Sequence, residues 1–289
     1  MTLRTTLLRV ARQERINFLL TNRLPRRLAT QLAGHISKIE QPIIRGISLA
    51  AWRLFCDVDL SDAATQQFRS VHDCFTRRLK EGARPADPDP TLLVSPCDAI
   101  VGACGAIDRG RVMQIKGLGY TLAELLGEAE DGRWLDGGCY ATLRLTAGMY
   151  HRFHAPHDLQ VEEVTCLYGD TLNVNPIALQ RVERLFCRNE RAVIRVRLVG
   201  GGKILMVPVA AILVAGIRLG FLDLTQGERT AEVRRFPCNA RLCKGDEMGW
   251  FEHGSTILMF APPGFTLCDA IVTGKTIRAG QPLMRCPIL

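Results

Sequence analysis

Three stretches of the chain concentrate side chains able to do chemistry. SPCDAIVG, residues 95–102, places Asp98 in a Ser-Pro turn that opens an apolar run. YHRFHAPHD, residues 150–158, carries His151, His154 and His157, three of the six histidines. EHGSTILMFAPPG, residues 252–264, sets Gly254, Ser255 and Thr256 at the head of another apolar run. Taken singly, each has an ordinary use: an Asp in a turn caps backbone, Gly-Ser-Thr bends the chain, and H-x-x-H offers two metal ligands. No H-E-x-x-H and no paired cysteines accompany those histidines, so no metal is expected. Taken together, they supply an Asp, a His and a Ser, in which the His removes the hydroxyl proton and the Asp fixes its tautomer. The G-x-S-x-G elbow of serine hydrolases is missing. Ser255 instead follows a glycine carbonyl, which its own hydroxyl can attack once deprotonated. That is intramolecular acyl transfer, with proximity built into the chain.

The elements that must position these groups change character along the chain. Residues 1–80 read as helical. Ile43, Ile47, Ala50, Ala51, Leu54 and Phe55 recur at helical spacing behind Pro42, and Leu20, Leu24, Leu28 and Leu32 form a weaker row beside Arg23, Arg26 and Arg27. Such a helix either packs on the core or lies in a bilayer interface, apolar side down and arginines on lipid phosphates. Residues 81–91 (EGARPADPDPT) read as a rigid loop or linker. Beyond them, Val-, Ile- and Leu-rich runs punctuated by glycine predict strands at 92–95, 99–104, 111–115, 139–145, 161–166, 192–199 and 204–214. Thr121 with Glu124 three residues later predicts a capped helix over 121–126. The fold class is therefore α+β: a basic helical region, 1–80, on a β-rich core, 81–289.

Charge separates the same two parts. The chain carries 37 basic and 29 acidic residues, a net +8. Residues 1–56 hold ten of the basic side chains and two of the acidic ones, so the remainder is balanced. A nucleic-acid binder would spread its charge over the domain and carry more than 6% aromatics, so no nucleic-acid partner is expected. An Arg-rich, acid-poor start is also what a mitochondrial transit peptide has. The eleven cysteines show no C-x-x-C spacing and no secretory leader precedes them, which predicts reduced thiols in a cytosol-like compartment. The apolar stretch 204–217 is too short to span a bilayer and is interrupted by Pro208 and Gly216, so it reads as buried strands.

An ordered set of motifs then carries a resemblance. FTRRLKEGARPAD (75–87), SPCDAIVG, QIKGLGYTLAELLG (114–127), YHRFHAP, YGDTLNVNP (168–176), LFCRNER (185–191), KGDEMGWFEHGST (244–256) and APPG together make the chain similar to the bacterial-type, pyruvoyl-dependent phosphatidylserine decarboxylase proenzymes over about residues 75–265. The start, NRLPRRLATQLAGHI, matches more loosely. Two positions depart from the family pattern: His253 stands where Leu is usual before Gly-Ser-Thr, and Ala99 stands where Gly usually follows the Asp. The resemblance implies a compact β core of barrel-sandwich type and self-cleavage between Gly254 and Ser255.

Its implied mechanism runs as follows. His154, oriented by Asp98, deprotonates Ser255. The ester formed with Gly254 breaks by β-elimination, and hydrolysis of the resulting dehydroalanine leaves a covalent pyruvoyl group and ammonia. The pyruvoyl ketone forms a Schiff base with phosphatidylserine and takes up the electrons released with CO₂. His151 then supplies the proton that yields phosphatidylethanolamine; on sequence alone the two histidines are interchangeable between these steps. His157 matches no functional position and reads as surface. Implied partners are phosphatidylserine, an anionic membrane surface, the association of the two self-cleaved chains and a homodimer of these. The implied location is peripheral, on the cytoplasmic face of the inner membrane. The rival readings are a related pyruvoyl-dependent decarboxylase of another amino-acid substrate, which would not need the basic helical start, and a lipid-binding relative that never matures.

Overall fold

The computed structural model describes residues 32, 34–115, 117–127, 130–211, 216–224, 233–252 and 255–287. The expected leucine row at 20, 24 and 28, residues 212–215 of the apolar run, His253 and Gly254 lie outside the described residues.

Helix α1 (Pro42–Phe55) starts where the sequence places it. Gln41 caps it by accepting from Ile44 N at 2.8 Å, and Pro42 occupies the first turn, where no amide donor is needed. After it the helical expectation for 1–80 gives way. Residues 57–70 are irregular, and only α2 (Val71–Phe75), capped by Ser70, follows. Side chains take local backbone donors here: Ser61 N donates to Asp59 Oδ1, Gln67 N to Thr65 Oγ1 and Arg69 N to Asp73 Oδ2. Residues 81–91 are irregular, as expected of a linker.

The rest is built on strands: β1 (Leu92–Val94), β2 (Ala99–Ala106), β3 (Arg111–Ile115), β4 (Leu118–Thr121), β5 (Cys139–Leu145), β6 (Arg152–His154), β7 (Leu159–Leu167), β8 (Arg191–Leu198), β9 (Lys203–Ala210), β10 (Ile217–Leu219), β11 (Arg234–Leu242), β12 (Glu247–Phe251), β13 (Ser255–Ala261), β14 (Thr266–Leu267), β15 (Thr276–Ile277) and β16 (Pro282–Arg285). Every predicted strand is present within a few residues of its expected bounds. Three short helices interleave them. The capped helix α3 (Leu122–Leu126) carries the predicted Thr121–Glu124 box. The helices α4 (Pro176–Arg181) and α5 (Leu185–Arg188) were not expected from periodicity.

Eight strands form one antiparallel sheet in the order β11-β7-β8-β9-β13-β5-β2-β15. Its faces bury two apolar clusters. Ile257, Met259, Leu143 and Leu145 fill the first; Leu258, Phe260, Tyr140 and Val209 fill the second. Strand β13 is covered on both faces and all seven of its residues are buried, which is why STILMFA reads as a continuous apolar run rather than an alternating one. A smaller sheet, β10-β12-β6, delivers the chain to the head of β13. Helix α1 contributes Leu49 and Trp52 to a separate small cluster around Ala63, Phe68 and Cys74. Its other face leaves Ile43 68% and Ile47 66% exposed.

Candidate active site

Ser255 is the first residue of β13. It lies between Leu145 of β5 and Ala210 of β9 and has no solvent exposure. Its Oγ is a buried hydroxyl with no hydrogen-bond partner among the described residues. An unsatisfied buried hydroxyl is costly and uncommon, and it marks a position kept for something other than stability.

The two catalytic candidates among the histidines flank β6, which pairs with β12, the strand leading to Ser255. Phe251 N donates to His151 O at 3.0 Å, and His154 faces Glu247 across the ladder. His151 is thus level with a residue four before Ser255, and His154 with one eight before it. The ring hydrogen bonds fix both tautomers. His151 Nδ1 lies 2.9 Å from Met149 O, and His154 Nδ1 lies 2.9 Å from Gly245 O. A carbonyl only accepts, so each Nδ1 carries the proton and each neutral ring keeps its lone pair on Nε2. On His154 that lone pair accepts from the buried Tyr150 hydroxyl at 3.0 Å. His151 is fully buried, its ring centroid 3.8 Å from that of Phe75.

Burial pushes the His154 pKa below the ordinary histidine value. The bond to Gly245 and the charges of Glu247 and Asp98 oppose that shift, and Arg152 adds to it. The net direction keeps His154 neutral, the form a base requires. Burial also pushes the Tyr150 phenol well up, so it stays a proton donor.

Asp98 sits where the turn after β1 opens β2, but its oxygens are taken by other groups. Arg84 grips it through Nε at 2.8 and 3.1 Å and through Nη2 at 2.7 Å, and Ala279 N donates at 2.9 Å. Arg84 also reaches Asp62 at 2.8 Å. The expected orientation of His154 by Asp98 is therefore supplied by Gly245 and Tyr150 instead. Asp98 reaches His154 through its charge and through its turn, since His154 N donates to Pro96 O at 2.8 Å. Neither Arg84, in the 81–91 loop and 14 positions from Asp98, nor Tyr150, four positions from His154, stood out as a functional residue, because neither hydrogen bond is announced by a local motif.

One expectation is overturned. His157 is 7% exposed rather than on the surface: its Nε2 lies 2.8 Å from Pro90 O and its Nδ1 3.1 Å from Asp158 O. The 81–91 segment folds back over it, and nothing local announces that contact. The three clustered histidines turn Nδ1 to three different backbone carbonyls rather than toward a common centre.

The residues present suit a pyruvoyl group at position 255: a buried serine hydroxyl with no competing partner among the described residues, at the head of a strand and preceded in the chain by glycine. Comparison with known proteins identifies the family. A model of the phosphatidylserine decarboxylase family matches residues 71–285. The chain is 33% identical over 271 residues to the phosphatidylserine decarboxylase proenzyme of Xylella fastidiosa (strain M23), covering 91% of this chain and 92% of that one. It is 36% identical over 274 residues to that of Stenotrophomonas maltophilia (strain R551-3), covering 92% and 97%. It is 34% identical over 269 residues to that of Bordetella pertussis, covering 90% of each. A match across three quarters of the sequence, through the segments that hold Asp98, His151, His154 and Ser255, leaves one conclusion: the chain belongs to the phosphatidylserine decarboxylase family of carboxy-lyases.

Proposed function

We propose that the chain decarboxylates phosphatidylserine to phosphatidylethanolamine with a pyruvoyl group that it makes from Ser255. The observation that carries the reading is the buried Ser255 hydroxyl, unpartnered at the head of the central strand. His154 takes the Ser255 proton on Nε2, through or in place of the Tyr150 hydroxyl. Ser255 Oγ bonds to the Gly254 carbonyl carbon as the peptide C–N bond breaks. Loss of the Ser255 α-proton then expels Gly254 as a carboxylate and leaves dehydroalanine, and one water converts that to the ketone with release of ammonia. Asp98, locked by Arg84, favours the protonated state of His154 through its charge. The pyruvoyl group supplies a ketone that condenses with the substrate amine and accepts the electron pair left by CO₂. His151, its Nδ1 proton engaged with Met149 O, takes up on Nε2 a proton shed by the substrate ammonium as it condenses, and returns that proton from Nε2 to the carbon that has lost CO₂.

The 35-residue product, 255–289, supplies β13 between β9 and β5, β15 on β2 and β16 on β1. That interleaving supports the two chains staying together after cleavage. The exposed Ile43 and Ile47 of α1, beside Arg45, support peripheral docking on an anionic bilayer and favour a lipid over a soluble amino-acid substrate. Among the described residues no helix is long and apolar enough to cross a membrane.

The test is an intact mass of the purified protein. Two chains, with the shorter one blocked at its start, are expected, and Ser255→Ala stays a single chain of about the full 32.0 kDa. A 35-residue fragment from Ser255→Ala, or no phosphatidylethanolamine from the cleaved wild type, overturns the reading.

A further inference from the structure

Arg144 sits in β5 between Leu143 and Leu145, whose side chains fill the first apolar cluster. Strand alternation therefore turns Arg144 to the opposite face, with Thr142 and Tyr140. The stacking of Tyr140 on Phe260 of β13, ring centroids 6.4 Å apart, confirms that face. Arg144 is partly buried, and among the described residues its guanidinium has no ion pair and no hydrogen bond. Burial alone lowers its pKa, with no carboxylate acting on it. The other sunken arginines are all engaged: Arg84 by Asp98, Arg152 by Glu247, Arg195 by Glu130, and Arg191 by backbone carbonyls that include Leu125 O. A cation withdrawn from water without a counter-charge is costly, and the described residues supply none here.

Its place in the ladder matters. Arg144 is the cross-strand partner of Thr256, the residue directly after Ser255. The Thr256 and Thr142 hydroxyls on the same face are also buried without partners. One uncompensated guanidinium and two spare hydroxyls, with no carboxylate among them, are the chemistry of a site for an anion with several oxygens.

We infer that Arg144, with Thr142 and Thr256, binds the phosphodiester of the substrate. The inference rests on the decarboxylase reading above. The substrate's other anion, its carboxylate, is a poor occupant: a cation holding it would stabilise the charge that must disperse as CO₂ leaves. The phosphodiester keeps its charge throughout, so its binding serves affinity rather than the chemical step.

The experiment compares wild type with Arg144→Gln. First, both must cleave into two chains and be trapped by borohydride in the presence of saturating phosphatidylserine; if wild type fails here, the decarboxylase reading fails rather than this one. KM for phosphatidylserine in neutral-detergent micelles should then rise about ten-fold or more in Arg144→Gln, with kcat within about two-fold. Glycerophosphoethanolamine, which has the phosphodiester but no carboxylate, should inhibit wild type competitively and lose that effect in the variant, while inhibition by free serine persists. Should Arg144→Gln not fold, Arg144→Lys retains the charge without the two-pronged donor and should raise KM about three-fold. An unchanged KM overturns the inference, as does wild type insensitive to glycerophosphoethanolamine. Loss of serine inhibition with glycerophosphoethanolamine inhibition intact assigns Arg144 to the carboxylate and overturns it as well.

Discussion

Strand β13 and helix α1 are both apolar, and they are treated in opposite ways. In β13 every residue is buried between two core faces, and the strand starts at Ser255. In α1 the residues that touch the small cluster are Leu49 and Trp52, while Ile43 and Ile47 stand in solvent. The chain provides for β13 by itself, because β9 and β5 pair with it and both clusters cover it. Nothing among the described residues covers the outer face of α1, and the proposed function assigns that apolar surface to the lipid. Under the proposed function, the difference separates two tasks: holding the reacting residue rigidly out of water, and bringing the protein to an insoluble substrate.

The largest expected effect tests the rigid side. Phe260→Ala, in the middle of β13, should cost about 3–5 kcal/mol in chemical denaturation, because it leaves a cavity that the sheet cannot close. A loss below about 1 kcal/mol would mean that β13 is not the close-packed centre described here.

Next in size is chemistry at the head of that strand. His154→Ala should slow self-cleavage by about 10²-fold or more, followed by gel over time. His151→Ala should cleave normally yet lose a similar factor in phosphatidylethanolamine formation, scored by lipid chromatography. The reverse pattern exchanges the two roles. The pH dependence has a definite sign. Burial lowers the His154 pKa, so the neutral base persists below the ordinary histidine range, and cleavage should fall only at still lower pH. Tyr150→Phe removes the donor that favours neutral His154. It should move that acid limb toward higher pH, and an unmoved limb would separate Tyr150 from the base.

The smallest effects belong to α1. Ile43→Ser with Ile47→Ser should weaken binding to anionic vesicles about ten-fold in a sedimentation assay, a fraction of the roughly 3–6 kcal/mol that full burial of both side chains would supply, because an interfacial helix sinks only partway. Binding by the unaltered chain should fall further as salt rises, since salt screens the arginines near the lipid surface. The same substitutions should change folding stability by no more than about 0.5 kcal/mol. A large loss of stability would place α1 in the core and erase the contrast with β13.

Much of this was legible in residue order. The apolar runs between glycines marked the strands, Thr121 and Glu124 marked a capped helix, and Asp98, His151, His154 and Ser255 were recognisable as a set. These are signals of local propensity and of motif, and they need no knowledge of which strands pair. Other features depended on contacts between distant segments. The helical expectation failed across 57–70, where acidic and hydroxyl side chains capture nearby amides. The edge strand β11 went unmarked because Pro237 and Asn239, near a break in its register, look like turn residues. His157 looked like surface until the 81–91 segment was seen to lie over it.

By itself, then, the sequence determined most of the strands, the capped helix, the family and the candidate serine, because backbone preference and motif chemistry are written in neighbouring residues. Only the tertiary structure decided that Arg84 holds Asp98, that Gly245 and Tyr150 set the tautomer of His154, and that Arg144 stands without a counter-ion beside Thr256. The physical reason is that hydrogen bonding, burial and charge pairing are properties of groups that meet in space, and these meet across 14 to 112 positions of chain or, for Tyr150 and His154, across a turn whose side-chain geometry the pairing of β6 with β12 imposes.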